Sequence, residues 1–181
     1  MKTVGILISG RGSNMMALVE AGIPVALVAS DRPDAPGLAW ARDRGIATFA
    51  LSPKGIGKAA YEAEVDAALR AAGCTVIALA GYMRLLSDDF VARWRDQIVN
   101  IHPSLLPLYK GLDTHARAIH AGDRVAGCSV HVVTEELDAG ALLGQAEVPV
   151  LPDDTPDTLA ARVLAAEHRL YPRILKEFVS R

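Results

Sequence analysis

The sequence predicts an α/β fold, and three observations carry that reading. Over the first hundred residues, short β-rich apolar runs alternate with longer stretches of helical periodicity, the pattern of βαβ units around a largely parallel sheet. The second half changes character: Gly127–Val133 and Leu142–Val148 read as strands, and the seven-residue segment Thr134–Gly140 between them permits a hairpin. Size agrees, because a chain of 181 residues, 51% of them hydrophobic, can bury roughly 70% of its unfolded surface in one core without a disulfide or a structural metal.

Taken in order, the apolar run Thr3–Ile8 predicts the first strand, Asn14–Ala21 the first helix, Val25–Ala29 the second strand, Gly37–Arg44 the second helix and Thr48–Leu51 the third strand. Lys58–Ala72 reads as a longer helix, with Tyr61, Val65 and Leu69 at four-residue intervals on one face. Two more strands follow at Val76–Ala80 and Ile98–Ile101. Between them Ser87 has the chemistry of an N-cap, and Asp88 and Asp89 suit the positive end of a short helix through Trp94. Thr155-Pro156 opens a terminal helix by placing a capping oxygen before a proline at the first helical position. Leu159, Val163, Leu170, Ile174 and Phe178 supply its buried stripe, and Pro172 is expected to kink it. No repeat, low-complexity segment or linker interrupts this series. The expectation is one domain over residues 1–181: a Rossmann-like, mostly parallel twisted sheet with helices on both faces and a C-terminal antiparallel strand pair.

Charge narrows the partners. Nineteen basic against 21 acidic side chains give a net charge of −2, which disfavours a surface that neutralises many phosphates of a nucleic acid and points to small molecules. The apolar start Val4–Ile8 is too short for a signal-peptide core, and no stretch approaches the ~18 apolar residues of a membrane span. A soluble cytoplasmic protein is expected. Cys74 and Cys128 lie outside any Cys-x-x-Cys spacing and read as buried thiols of a reducing compartment. His115 and His120 are five apart and do not share a helical face, so no metal is expected.

Chemistry concentrates in three loops. Ser9-Gly10-Arg11-Gly12-Ser13-Asn14 joins the first strand to a helix and leaves unpaired N–H groups at the helix start, which fits an anion site or a plain tight turn. Met15 stands where a dinucleotide fingerprint wants a third glycine, although Asp31 ends the second strand as a ribose-binding acid does; no Gly-Lys-Ser/Thr is present. Gly81-Tyr82-Met83-Arg84-Leu85-Leu86 follows the most apolar strand and forms either a slot for a flat ring or a turn whose leucines are core. Asn100 and His102 sit two apart at a strand end, where alternation aims both to one side, and Pro103 keeps the chain extended or turning. In an open α/β sheet ligands bind beyond the carboxyl ends of the strands, where all three loops lie. An amide donor and an imidazole beside an anion site can stabilise an oxyanion and move a proton, which points to acyl or one-carbon transfer. No Gly-x-Ser-x-Gly elbow is present, so the nucleophile comes from the substrate.

Five segments carry a resemblance that runs nearly end to end: Ile8-Ser9-Gly10-Arg11-Gly12-Ser13-Asn14, Leu79-Ala80-Gly81-Tyr82-Met83-Arg84-Leu85-Leu86, Asn100-Ile101-His102-Pro103-Ser104-Leu105-Leu106-Pro107, Ser129-Val130-His131-Val132-Val133 and Glu135-Glu136-Leu137-Asp138-Ala139-Gly140. On these the chain resembles the phosphoribosylglycinamide formyltransferases, the folate-dependent glycinamide ribonucleotide transformylases. The resemblance implies transfer of the formyl group of 10-formyltetrahydrofolate to the amine of glycinamide ribonucleotide in de novo purine (IMP) biosynthesis, by a monomer or homodimer. It implies that Gly12, Ser13 and Asn14 hold the substrate phosphate and that Glu167 contacts the ribose. It further implies a folate site at Lys58, Met83, Arg84, Leu85, Leu86 and Asn100, and a catalytic set of Asn100, His102 and Asp138. In that set Asn100 and protonated His102 stabilise a tetrahedral intermediate, and the Asp138 carboxylate favours the imidazolium.

Some residues stand apart from this pattern. Lys110 and Asp113 depart from the proline and histidine of some relatives. His131, among valines, reads as a packed core histidine ahead of a catalyst, and His168 fits either a substrate-side group or a packed helix residue. Arg84 is expected to be solvated or ion-paired, with its backbone mattering more than its charge. Within the superfamily, a formyltetrahydrofolate hydrolase with an added regulatory domain and a methionyl-tRNA formyltransferase with an added tRNA-binding domain suit 181 nearly neutral residues less well. A non-catalytic nucleotide-binding module would leave Asn100, His102 and Asp138 without a role.

Overall fold

Five consecutive buried residues make up strand β1 (Val4–Ile8), because a strand covered by helices on both faces has no solvent side for polar residues. The computed structural model describes residues 1–181. The other strands are β2 (Val25–Ser30), β3 (Ala47–Ala50), β4 (Val76–Leu79), β5 (Ile98–His102), β6 (Val125–Val132) and β7 (Leu142–Pro149). They form one sheet in the order β3-β2-β1-β4-β5-β6-β7. The first five are parallel, while β6 runs antiparallel to β5 and β7 antiparallel to β6. The sheet is therefore the expected mostly parallel one with an antiparallel pair at its C-terminal edge, and observed strand ends differ from the expected ones by one or two residues.

Helices α1 (Ser13–Glu20), α2 (Pro36–Asp43) and α6 (Pro156–Val179) cover one face, and α3 (Lys58–Ala71) and α4 (Asp88–Arg93) the other. Alternation along β1 feeds both cores: Val4, Ile6 and Ile8 join the first and Leu7 the second. The Tyr61, Val65 and Leu69 stripe of α3 packs with Phe90, Val91 and Trp94 on that second side. Both predicted caps form, Ser87 Oγ accepting from Phe90 N at 3.1 Å and Thr155 building a capping box with Thr158. Helix α6 runs on across Pro172, and of its predicted stripe Leu159, Val163, Leu170 and Ile174 are buried while Phe178 is half-buried.

A sixth helix, α5 (Thr114–His120), escapes the sequence reading because its only buried residues are Thr114 and Ala118, too few for an apolar stripe. Tyr171 on α6 pins that helix to the sheet, its hydroxyl lying 3.0 Å from the Leu79 carbonyl and 3.1 Å from that of Val99. One turn earlier on the same helix face stands Glu167, at the edge where β1, β4 and β5 end. No helix is long and apolar enough to cross a membrane. Both cysteines are buried, and burial pushes the Cys74 thiol up to about 11 and the Cys128 thiol up to about 12.

Candidate active site

The loops after β1, β4 and β5 enclose a cleft of about 470 Å³. Its walls are Gly10–Asn14, Ala80–Met83 and Asn100–Pro103, closed by Gly111, Leu112, Leu164 and Glu167.

Helix α1 begins without a side-chain cap, and no bond within the chain satisfies the backbone N–H groups of Ser13, Asn14 or Met15. Gly12 precedes them at φ 70, a left-handed conformation, and a Cβ there would stand 2.8 Å from the Met15 Cε. Met15 is fully buried where the dinucleotide fingerprint would need glycine. The Asn14 amide donates to Glu167 Oε2 at 2.9 Å, which leaves Asn14 Oδ1 buried without a partner. Burial pushes the Glu167 carboxyl above the ordinary range, and the bond from Asn14 opposes that shift.

The second loop turns at Gly81, where φ is 71. Its side chains and flanks are held from outside: the phenols of Tyr82 and Tyr61 bond at 2.8 Å, and Ser87 N donates to the buried Glu62 at 2.9 Å. Met83 N donates to Ser9 Oγ at 2.9 Å. The backbones of Arg84, Leu85 and Leu86 enter no hydrogen bond within the chain, so their donors and acceptors stay open. Arg84 has no carboxylate partner; its guanidinium lies 5.4 Å from the Tyr61 ring centroid.

At the end of β5, His102 is 6% exposed and its Nε2 lies 2.9 Å from the Tyr109 carbonyl. A carbonyl only accepts, so Nε2 carries the proton of the neutral ring, and Nδ1 faces Asp138 Oδ2 at 3.6 Å. That carboxylate also accepts from Gly111 N at 2.9 Å, while its other oxygen lies 3.7 Å from His131 Nε2. His131 Nδ1 donates to the Val132 carbonyl at 3.1 Å, so Nε2 accepts from the Asn100 amide at 3.2 Å. Burial pushes the His131 ring below its ordinary value, which suits this neutral form. One N–H of Asn100 is thereby engaged and the other remains for a ligand.

Gly12, Ser13, Asn14, Met83, Asn100, His102 and Glu167 thus meet around one cleft, with Asp138 beside the Nδ1 of His102. Arg84, Leu85 and Leu86 continue the turn beyond the cleft wall. Lys58 is exposed at the head of α3, beside a separate hollow with Glu62, Ser87 and Arg93. Neither Lys110 nor Asp113 lines the cleft; Asp113 stands at the N-cap of α5. His168 lies off the cleft with its Nε2 buried and unpartnered. Asp31 is turned to Ser9, whose hydroxyl donates to it at 2.7 Å. Sequence reasoning missed the backbone clamps from Tyr109 and Gly111, whose main-chain atoms leave no side-chain signature. It also placed His131 in the core without its bond to Asn100, although strand pairing sets those two residues directly opposite each other.

A family profile described as formyl transferase matches residues 1–175. The chain belongs to the formyl transferase family. Among solved formyl transferase structures, phosphoribosylglycinamide formyltransferase from Brucella melitensis is 52% identical, with a TM-score of 0.94 over 99% of this chain and 96% of that one. The chain is 43% identical to the phosphoribosylglycinamide formyltransferase of Escherichia coli (strain K12), covering 96% of itself and 85% of that protein. It is 46% identical to the trifunctional purine biosynthetic protein adenosine-3 of Drosophila melanogaster, where the match spans 99% of this chain but 14% of the longer protein.

Proposed function

We propose that the chain transfers the formyl group of 10-formyltetrahydrofolate to the primary amine of phosphoribosylglycinamide, a step of de novo purine biosynthesis. One observation carries this reading. Asn100 and His102 open onto a cleft whose other walls are an uncapped helix N-terminus and a turn next to open backbone groups. The names of the phosphoribosylglycinamide formyltransferases that the chain matches over most of their length support formyl transfer to that acceptor.

The phosphate binds the free N–H groups of Ser13 and Asn14 and the Ser13 hydroxyl, with Gly12 allowing close approach. Glu167 accepts from the ribose hydroxyls. The folate ring lies along Met83–Leu86 and bonds to the open backbone of Arg84, Leu85 and Leu86, while Lys58 attracts the carboxylates of the folate tail.

The substrate amine attacks the formyl carbon, a C–N bond forms, and the carbonyl oxygen takes up the electron pair as an oxyanion. The second N–H of Asn100 and protonated His102 donate to that oxygen. Collapse restores the C=O and breaks the bond to the folate nitrogen. That nitrogen takes the proton lost by the attacking amine, relayed through His102 Nδ1 or a water. Asp138, fixed by the Gly111 N–H and 3.6 Å from His102 Nδ1, orients the ring.

The test is to mix the protein with 10-formyltetrahydrofolate and follow tetrahydrofolate release with and without phosphoribosylglycinamide. Release only with the ribonucleotide is expected. Release without it would make the protein a hydrolase, and no release in either mixture would end the proposal.

A further inference from the structure

We propose that Ser9 and Asp31 are positioning residues for the folate-binding turn: the Ser9 hydroxyl, aimed by Asp31, holds the Met83 amide and keeps the Arg84–Leu86 backbone open to the ring. This inference rests on the folate reading above. Ser9 is 3% exposed at the carboxyl end of β1, between the ends of β2 and β4. Its hydroxyl has one proton, and that proton goes to Asp31 Oδ1 at 2.7 Å. The oxygen can then only accept, and Met83 N–H approaches it at 2.9 Å.

This contact is the sole main-chain hydrogen bond formed within the chain by any residue from Gly81 to Leu86. The other restraints, Tyr82 on Tyr61 and Ser87 on Glu62, act through a side chain or at the far flank. Ser9 therefore sets the height and register of the free backbone groups that follow Met83. Asp31 lines no part of the cleft, and the one hydrogen bond of its carboxylate is the one it accepts from Ser9. Without the carboxylate the hydroxyl is free to rotate, and its proton competes with the Met83 N–H for the same space.

The experiment compares Ser9→Ala, Asp31→Leu, Asp31→Asn and the Ser9→Ala/Asp31→Leu double variant by steady-state kinetics on both substrates. Ser9→Ala and Asp31→Leu should each raise the KM for 10-formyltetrahydrofolate about tenfold, as expected when one buried donor loses its partner, and leave the ribonucleotide KM within about twofold. The double variant should be no worse than Ser9→Ala alone, because both changes break one chain of contacts. Asp31→Asn, whose Oδ1 still accepts the Ser9 proton, should recover most of the affinity lost in Asp31→Leu. In ligand-free protein, exchange of the Met83 amide should be at least about tenfold faster in Ser9→Ala and in Asp31→Leu than in wild type. An unchanged folate KM in both single variants, an equal rise in both KM values, additive effects in the double variant or unchanged Met83 exchange would overturn the proposal. If wild type transfers no formyl group, the folate reading fails, and Met83 exchange still decides whether Ser9 and Asp31 hold the turn. If Ser9→Ala does not fold, the Asp31 pair carries the test.

Discussion

The Nε2 of His102 lies 2.9 Å from the backbone carbonyl of Tyr109, and this contact decides which ring nitrogen exchanges protons. Because the carbonyl cannot donate, Nε2 stays protonated and Nδ1, beside Asp138, gains and loses the proton. Nitrogen-15 NMR of the ring should find the Nε2–H tautomer in the neutral form. An Nδ1–H tautomer would contradict the assignment. Tyr109 can hold this geometry because it adopts a left-handed φ of 53 while its hydroxyl is anchored to Asp123 at 2.5 Å.

In the proposed mechanism Asn100 is the oxyanion donor, and His131 orients it through the 3.2 Å bond. Removing one such donor typically costs ~10²–10³ in turnover, and Asn100→Ala should lose about that much in kcat. A folded Asn100→Ala variant with near-wild-type kcat would remove Asn100 from the chemistry. His131→Ala should lose less, about tenfold, since it leaves the donor present but loosely aimed.

Gly140 ties the fold to the site. A Cβ at this position would collide with the Val132 carbonyl oxygen, so alanine forces apart the segment that carries Asp138. Gly140→Ala should lower kcat by about 10²-fold, the scale of a displacement of roughly 1 Å in a catalytic group. Wild-type kcat in that variant would mean that the placement of Asp138 does not matter.

Glu167 makes stability depend on pH. Burial raises its carboxyl pKa in the folded state, so the native protein holds this proton more tightly than the unfolded chain does. Stability from this group is complete below the ordinary glutamate value of 4.5 and is lost as pH rises through the higher folded value. Glu167→Gln removes that loss, and at pH 7 its Tm should exceed that of wild type while its KM for the ribonucleotide rises. A lower Tm at pH 7 would show that ionised Glu167 stabilises the fold.

Elements with a strong local signature were legible from the sequence. The β1 run, the Tyr61–Val65–Leu69 stripe and the Ser87 and Thr155 caps each declare themselves within a few residues. The conjunction of Asn100 and His102 was equally readable, because strand alternation alone puts them on one side. Contacts between distant segments were not. Asn14 and Glu167 are 153 positions apart, and no periodicity reveals that the Asn14 amide is spent on a carboxylate. Asp31 looked like a ribose-binding acid because strand-end position was visible and its partner Ser9 was not. Helix α5 hid for a different reason, since it buries too little apolar surface to leave a pattern.

Formyl transfer through Asn100, His102 and Asp138 is tested most directly by labelling the formyl carbon of 10-formyltetrahydrofolate with carbon-13 and following it by NMR in the presence of phosphoribosylglycinamide. The label should move to the glycinamide nitrogen as a formamide, at a rate that falls by about 10²–10³ in Asn100→Ala. Label appearing as free formate, or remaining on the folate with wild-type protein, would contradict the account.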